Sequence, residues 1–330
     1  MIKGINKKRI CKDFDTSVSE NRSAIMGLAM LSVMLFHQYF TSVFPFNAFH
    51  NFGYWGVDVF LFLSGMGLVR SLGNNSIRIY YLRRFKRILP SCVLCGSVKY
   101  LVFLLLGSSV AILKEGLNLG WWSLASLDSW FIHTILVLYA ISPLLYFMLR
   151  KWALTTFTII VIALFINGLT IRPLIGFDWT SPLGVLSYTI ERTPVFATGM
   201  LVSIKGVWIN NKMQYSVLFL IVAVGIKLLA KYGLSLYGSQ AFINFALTLG
   251  MPALVIANIY LIRILPKLIH KSIIFMGNCS LELYLVHGFI FWSLKTVYPV
   301  VIPWLLLPTG FLLSFSSAYL CKKFIKKFIS

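Results

Sequence analysis

Long apolar runs with few charges recur along almost the whole chain. A helix needs about 20 predominantly apolar residues to cross the hydrocarbon core of a bilayer. Runs of about that length are predicted at residues 23–43, 53–72, 88–107, 130–149, 152–171, 185–204, 214–230, 243–265, 273–293 and 301–321. The sequence therefore predicts an all-α fold, a polytopic membrane bundle of about ten transmembrane helices.

The composition agrees with a membrane protein and argues against a nucleic-acid partner. Only 12% of the 330 residues are charged, whereas soluble domains average about 25%. The net charge of +21 lies mainly in short segments between the apolar runs, which is typical of membrane-protein loops. The first 23 residues are polar and basic, so no cleavable signal peptide is expected.

The basic residues are divided unevenly between the two ends of the predicted spans. Ten spans put both termini on one side, together with most of the 30 Lys and Arg residues. The opposite side carries only Lys114, Arg172, Lys231 and Lys295. Because cytoplasmic loops carry the excess of positive charge, both termini are predicted to be cytoplasmic, in the inner (cytoplasmic) membrane. The predicted parts are a cytoplasmic segment at 1–22, a transmembrane domain at 23–321 and a basic cytoplasmic tail at 322–330.

The five cysteines show no disulfide framework. Cys92 and Cys95 form a CxxC, but no second pair accompanies them and Pro90 precedes them in an apolar run. Zinc sites built from such pairs need two of them. We expect small buried residues and no metal site.

A histidine and an aspartate inside the first two spans are the main catalytic candidates. A charge at the bilayer centre costs about 2.5–3.5 kcal/mol, so such groups are functional candidates. His37 lies near the outer end of the first span and Asp58 near the outer start of the second, which runs antiparallel to it. The two are predicted to meet, with Asp58 fixing the tautomer of the His37 imidazole so that its other nitrogen acts as a base. The alternative is a structural pair that only fastens two helices.

Further ionisable residues fall in the later spans and in one basic run. Arg192 is expected to turn inward to meet an anion or another acid, or to form a structural ion pair. The run IRIYYLRRFKRILP at 77–90 holds five basic residues. It has three interpretations: an inside-loop charge cluster, a site for anionic lipid headgroups, or a site for a phosphorylated cosubstrate, since Arg donates two hydrogen bonds at once to phosphate.

Six segments together resemble one family. They are AIMGLAMLSVMLFH at 24–37, GYWGVDVFLFLSG at 53–65, YYLRRFKRILP at 80–90, WFIHTILVLYAISPLL at 130–145, ERTPVFATGML at 191–201 and GNCSLELYLVH at 277–287. In this order, and with ten predicted spans, the chain resembles the acyltransferase family 3 membrane proteins. These transfer acyl groups, often acetyl from acetyl-CoA, to cell-surface carbohydrates.

The resemblance implies a donor site at the basic run. Arg83, Arg84 and Arg87 match the family's Arg-rich motif and are expected to contact the phosphates of CoA. The family's first helix has an Arg, ten residues and a His, whereas Met26 stands here at the Arg position. Arg22, one turn earlier on the same helix face, is expected to take over that role.

The resemblance also implies the reaction. His37 would act as general base on an acceptor hydroxyl that attacks the thioester of acetyl-CoA, either directly or through an acyl-histidine. Ser64, Arg192, Glu282 and His287 are expected to shape the donor tunnel or the acceptor site.

The expected function is an O-acyltransferase. Its expected partners are a polysaccharide or other glycan acceptor, membrane lipids and, as an open alternative, a second copy of the chain. A transporter or exporter of a glycan or lipid-linked precursor is the competing function, because it shares buried charges and many spans but needs no CoA site.

Overall fold

The computed structural model describes residues 14–37, 53–105, 130–175, 181–205, 208–231, 239–297 and 303–328. All regular structure in these ranges is helical, which confirms the predicted class. The helices are α1 Phe14–Glu20, α2 Arg22–His37, α3 Trp55–Asn74, α4 Ile77–Leu105, α5 Trp130–Lys151, α6 Ala153–Ile166, α7 Arg172–Ile175, α8 Pro182–Lys205, α9 Trp208–Lys231, α10 Ser239–Ile264, α11 Lys267–Asn278, α12 Ser280–Val297 and α13 Pro303–Phe328. A π-helical turn, Asn167–Ile171, joins α6 to α7.

Five of the described helical stretches are long and apolar enough to cross a membrane, or six if the bent pair α11 and α12 is counted as one span. The five are Trp55–Asn74, Trp130–Lys151, Ala153–Ile175, Gln240–Ile264 and Leu305–Lys327. Helices suit an apolar layer because each satisfies its own backbone hydrogen bonds. The ends of the predicted spans 23–43, 88–107 and 301–321 lie outside the described residues, and the count of ten remains a prediction.

The chain divides into two compact units, each assembled from separate stretches of sequence. The first contains Met1–Ile25, Asp58–Ile77 and Thr134–His270, and the second contains Met26–Val57, Arg78–His133 and Lys271–Ser330. Helices α8, α9 and α10 lie in the first unit, whereas α12 and α13 lie in the second.

In the first unit, α3 and α8 cross at a pair of glycines. A Cβ atom added to Gly65 would collide with the carbonyl oxygen of Phe196. A Cβ added to Gly199 would collide with the carbonyl oxygen of Phe62. Each helix thus needs a glycine where the other's backbone passes, and this contact sets the depth at which the two helices meet.

In the second unit, small residues bring α2 close to its neighbours. A Cβ at Gly27 would overlap the backbone oxygen of Ile273 in α11, and one at Gly56 would overlap that of Ala29 in α2. Backbone-to-backbone approach of this kind is the usual role of small residues between membrane helices. It fixes the helix that carries His37.

One predicted span is broken, and one helix extends beyond its predicted span. The predicted span at 273–293 is broken after Asn278, and α11 and α12 meet at 90°. The basic run before the predicted span at 88–107 is not a loop, because it belongs to the 29-residue helix α4. At 1.5 Å per residue α4 is about 44 Å long, which exceeds the hydrocarbon thickness of about 30 Å.

The glycine crossing predicts a stability difference between two glycine substitutions. Gly65→Ala should destabilise the protein by about 1–3 kcal/mol, because the new methyl group meets a carbonyl that cannot move alone. Gly225→Ala in α9 is the matched control, since nothing lies within 4 Å of its added Cβ. Denaturant unfolding in detergent measures both, and equal midpoints would contradict the close approach of α3 and α8.

Candidate active site

His37 lies against a second histidine, His287 of α12. Nδ1 of His37 is 3.1 Å from Nε2 of His287 and 2.9 Å from the carbonyl oxygen of Val33. The two rings meet edge to face, with centroids 4.8 Å apart and planes at 77°. His287 is only 1% exposed, and His37 is half-buried.

The backbone around His287 fixes the tautomers of both rings. Nδ1 of His287 lies 3.0 Å from the carbonyl oxygen of Leu283 and 2.8 Å from that of Tyr284. Carbonyl oxygens only accept, so this nitrogen carries the hydrogen and Nε2 of a neutral His287 is an acceptor. Nδ1 of His37 then donates to it, which leaves the lone pair of His37 on Nε2. That nitrogen is the one able to take a proton.

Aromatic rings surround the histidine pair. Phe36 meets the His37 ring edge to face at 5.0 Å, and the Tyr284 ring is 5.6 Å from that of His287. Phe131 in turn packs on Tyr284 at 4.9 Å. These rings limit the access of water to the two imidazoles.

The carboxylate of Asp58 is held by an arginine. Its Oδ1 and Oδ2 atoms accept hydrogen bonds from Nη1 of Arg192, at 2.9 and 3.0 Å. Within its own unit, His37 is oriented by His287 and the Val33 carbonyl, and the Asp58–His37 hydrogen bond stays a prediction. A buried carboxylate is better matched by guanidinium, whose permanent charge neutralises it, than by a neutral imidazole.

Arg192 thus meets an acid, which fits both predicted alternatives, an inward-turned arginine and a structural ion pair. The neighbouring Glu191 pairs with a different cation: its Oε1 lies 3.1 Å from Nε of Arg172, which also stacks over the Tyr188 ring. The adjacent charges on α8 are thereby neutralised in two separate pairs.

Glu282 makes a buried contact with α4. It lies in the first turn of α12 and accepts a hydrogen bond from the Ser91 hydroxyl at 2.7 Å. A carboxylate is favoured there by the partial positive charge of a helix N-terminus. Glu282 and His287 share α12, but the contacts of Glu282 face α4 and those of His287 face α2.

A family model described as an acyltransferase domain matches residues 24–323. The chain belongs to acyltransferase family 3. Neither the curated proteins nor the solved structures gave a match. Membership supports an acyltransferase role, and together with the apolar helices it indicates a multi-pass membrane protein.

The arginines of this acyltransferase's basic run lie on the first turns of α4. Arg83 and Arg87 are exposed and one helical turn apart, so their side chains share a face. Arg84 is half-buried, with its guanidinium 5.7 Å from the centre of the Tyr80 ring. Two exposed guanidinium groups at this spacing can bind phosphate oxygens together.

Two further predicted residues lie on or against α3. Arg22 donates from Nη1 to the carbonyl oxygen of Leu63 at 3.0 Å. Its guanidinium lies beside Gly67, in contact distance of the place where a Cβ atom would stand. Ser64 is half-buried on the same helix, next to Gly65. The donor-binding role of Arg22 and the tunnel role of Ser64 stay predictions.

Two polar residues at these contacts were not predicted from the sequence. Ser91 follows Pro90 in an apolar run, where a serine is unremarkable. Asn244 accepts from Gln240 at 2.9 Å and faces Arg192 at 3.5 Å, while its buried Nδ2 has no hydrogen-bond partner among the described residues. An intramembrane Asn, like an intramembrane His, could have been singled out by its cost of burial.

The Asp58–Arg192 pair predicts a large effect on stability. Asp58→Asn should cost about 3–5 kcal/mol, because it leaves the Arg192 charge buried without a counter-ion. Asp15→Asn, which breaks an exposed pair with Arg70, should cost at most about 1 kcal/mol. Denaturant unfolding of both variants in detergent gives the comparison. A normally stable Asp58→Asn protein that had lost acyl transfer would instead support a direct catalytic role.

Proposed function

We propose that this protein transfers an acyl group, acetyl from acetyl-CoA, to a hydroxyl of a cell-surface or secreted polysaccharide. The hydrogen bond between His37 and His287 is the observation that carries the proposal. It gives an oriented nitrogen base inside an apolar shell, in a chain whose family is one of acyltransferases.

In the proposed reaction, Nε2 of His37 removes the proton of the acceptor hydroxyl as the oxygen attacks the thioester carbonyl carbon. The new C–O bond forms, the C–S bond breaks, and the proton passes from His37 to the departing CoA thiolate. His287 accepts the hydrogen bond from Nδ1–H of His37 throughout, so it is a positioning residue. General base catalysis of this kind contributes roughly 10²–10⁴-fold in rate.

The donor is proposed to bind by its nucleotide end to Arg83 and Arg87, with Arg84 beside them. CoA carries phosphates that match exposed guanidinium groups. Because these arginines begin a helix longer than the bilayer core is thick, their face of α4 fits a position at or beyond the membrane surface.

The proposed topology has ten spans with both termini in the cytoplasm, in the inner membrane. The pairs of the first unit fit this arrangement, because all four of their charged residues fall in, or directly next to, the outer halves of the predicted spans. The start of α3 pairs with α8 through Asp58 and Arg192, and Arg172 at the start of α7 pairs with Glu191.

The histidine pair predicts a graded loss of activity. His37→Ala should lower the rate of labelled acetyl transfer from acetyl-CoA to carbohydrate by roughly 10²–10⁴-fold. His287→Ala should lower it less, because the base remains and its Nδ1–H can still donate to the Val33 carbonyl, but the ring loses one of the two contacts that orient it. His287→Gln should retain more activity than His287→Ala, since an amide oxygen near the Nε2 position still accepts from His37. His270→Ala, a half-buried histidine on α11, is the control and should match the wild type.

The acceptor for this assay is carbohydrate from cells that lack the protein, stripped of O-acyl esters by mild alkali. Full activity of the His37→Ala variant would overturn the proposed base. If the purified protein transferred no acetyl group but moved labelled glycan into vesicles, the transporter alternative would be correct.

The arginine pair predicts a defect specific to the nucleotide part of the donor. Arg83→Ala and Arg87→Ala should each raise the KM for acetyl-CoA by about tenfold or more, the size expected for a lost charge-assisted hydrogen bond. The KM for acetyl-pantetheine, which has no nucleotide phosphates, should not change. Arg263→Ala, an exposed arginine at the end of α10, serves as control. An equal rise in KM for both donors would mean that these arginines do not bind the nucleotide.

A further inference from the structure

Helix α11 combines basic and apolar side chains on its exposed side. Lys267 and Lys271 are exposed and one turn apart, and Leu268 and Phe275 beside them are 77% and 37% exposed. The opposite face is buried through Ile273, Met276 and Gly277. A soluble surface helix would instead place polar residues outward, so these apolar side chains need a separate explanation.

The orientation of α11 fits a helix lying at a membrane surface. It has 12 residues and is about 18 Å long, too short to span the hydrocarbon core. Helix α11 meets α12 at 90°. If α12 crosses the membrane, α11 therefore runs along the plane of the membrane. Helices of this type lay their apolar side chains into the headgroup boundary and keep Lys residues at headgroup level.

The end of α13 extends this surface. The Lys322 side chain donates to the carbonyl oxygen of Asn278, the last residue of α11. The next two residues again place a basic side chain beside an apolar one: Lys323 is exposed, and Phe324 is 48% exposed. The end of α13 therefore adds a lysine and a large apolar side chain next to the last residue of α11, 11 residues along that helix from Lys267.

We propose that α11 and the end of α13 form a binding surface for anionic phospholipids, named here the lipid-binding surface. Lysines attract anionic headgroups electrostatically, and each contributes appreciably near a charged leaflet. A soluble phosphate compound would use the lysines alone, whereas the exposed parts of Leu268, Phe275 and Phe324 offer contacts to a ligand that also has acyl chains. The chemistry therefore favours a lipid over CoA or inorganic phosphate.

The lipid-binding surface also touches the helix that carries the proposed base. The backbone of Ile273 in α11 packs directly on Gly27 of α2. A lipid held on α11 would hold this contact in place, and through it the position of α2. Lipid binding at this surface does not depend on the acyl-transfer reaction and can be measured without any activity assay.

The test uses the full-length protein in a neutral detergent. Its thermal unfolding midpoint is followed against increasing dioctanoyl phosphatidylglycerol, dioctanoyl phosphatidylcholine or inorganic phosphate. Phosphatidylglycerol should raise the midpoint at concentrations at least tenfold lower than phosphatidylcholine, and inorganic phosphate should not reproduce the shift. The preference should weaken as salt is added, because exposed charges are screened.

Two variants separate the two kinds of contact. Lys267→Gln/Lys271→Gln/Lys323→Gln should lower the apparent affinity for phosphatidylglycerol by roughly fivefold per lysine. The control is Arg150→Gln/Lys151→Gln/Lys205→Gln, which removes the same charge from exposed residues at the ends of α5 and α8 and should bind normally. Leu268→Ser/Phe275→Ser keeps the lysines and should also weaken phosphatidylglycerol binding.

Three outcomes would overturn the proposal. Equal affinity for the two lipids would show that headgroup charge is not recognised. An equal loss of affinity in both charge variants would reduce the effect to net charge. A midpoint shift that inorganic phosphate reproduces, or that survives Leu268→Ser/Phe275→Ser unchanged, would identify a soluble phosphate site instead.

Discussion

A polar side chain buried among apolar helices needs a partner inside the protein, because neither lipid nor water can supply one there. This requirement explains the main contacts between helices in each unit. Asp58 and Arg192 are 134 residues apart, and His37 and His287 are 250 apart, yet each pair is in hydrogen-bond contact. Breaking either pair leaves a polar group exposed to an apolar surrounding, which costs far more than the pair contributes when intact.

The identity of the partner of His37 matters for the proposed chemistry. A carboxylate would add a negative charge and hold a proton on the imidazole more tightly. His287 in its neutral form carries no formal charge and is oriented by two backbone carbonyl groups. His37 is then oriented by uncharged groups, the His287 ring and the Val33 carbonyl. Asp58, the acid that the sequence suggested for this role, pairs with Arg192.

Sequence reasoning succeeded where the signal is local. The length of the apolar runs predicted the helices. The cost of burying a charge in the membrane singled out His37, Asp58 and Arg192 as candidate functional residues. It did not predict that Asp58 meets Arg192, because depth along neighbouring helices says nothing about how each helix is rotated about its axis. Glycine contacts such as that of Gly65 with Phe196 fix this rotation, and they depend on distant residues. The break after Asn278 was different: its Gly-Asn dipeptide is a readable end-of-helix signal that the apolar run obscured.

The crossing of α3 and α8 has a consequence for how this protein can vary. At both Gly65 and Gly199 the obstructing atom belongs to a main-chain carbonyl, which every amino acid possesses. No second substitution in the opposite helix can make room, so neither position has a compensating partner. Libraries made to alter this acyltransferase should leave both glycines untouched and draw their diversity from the side chains around them.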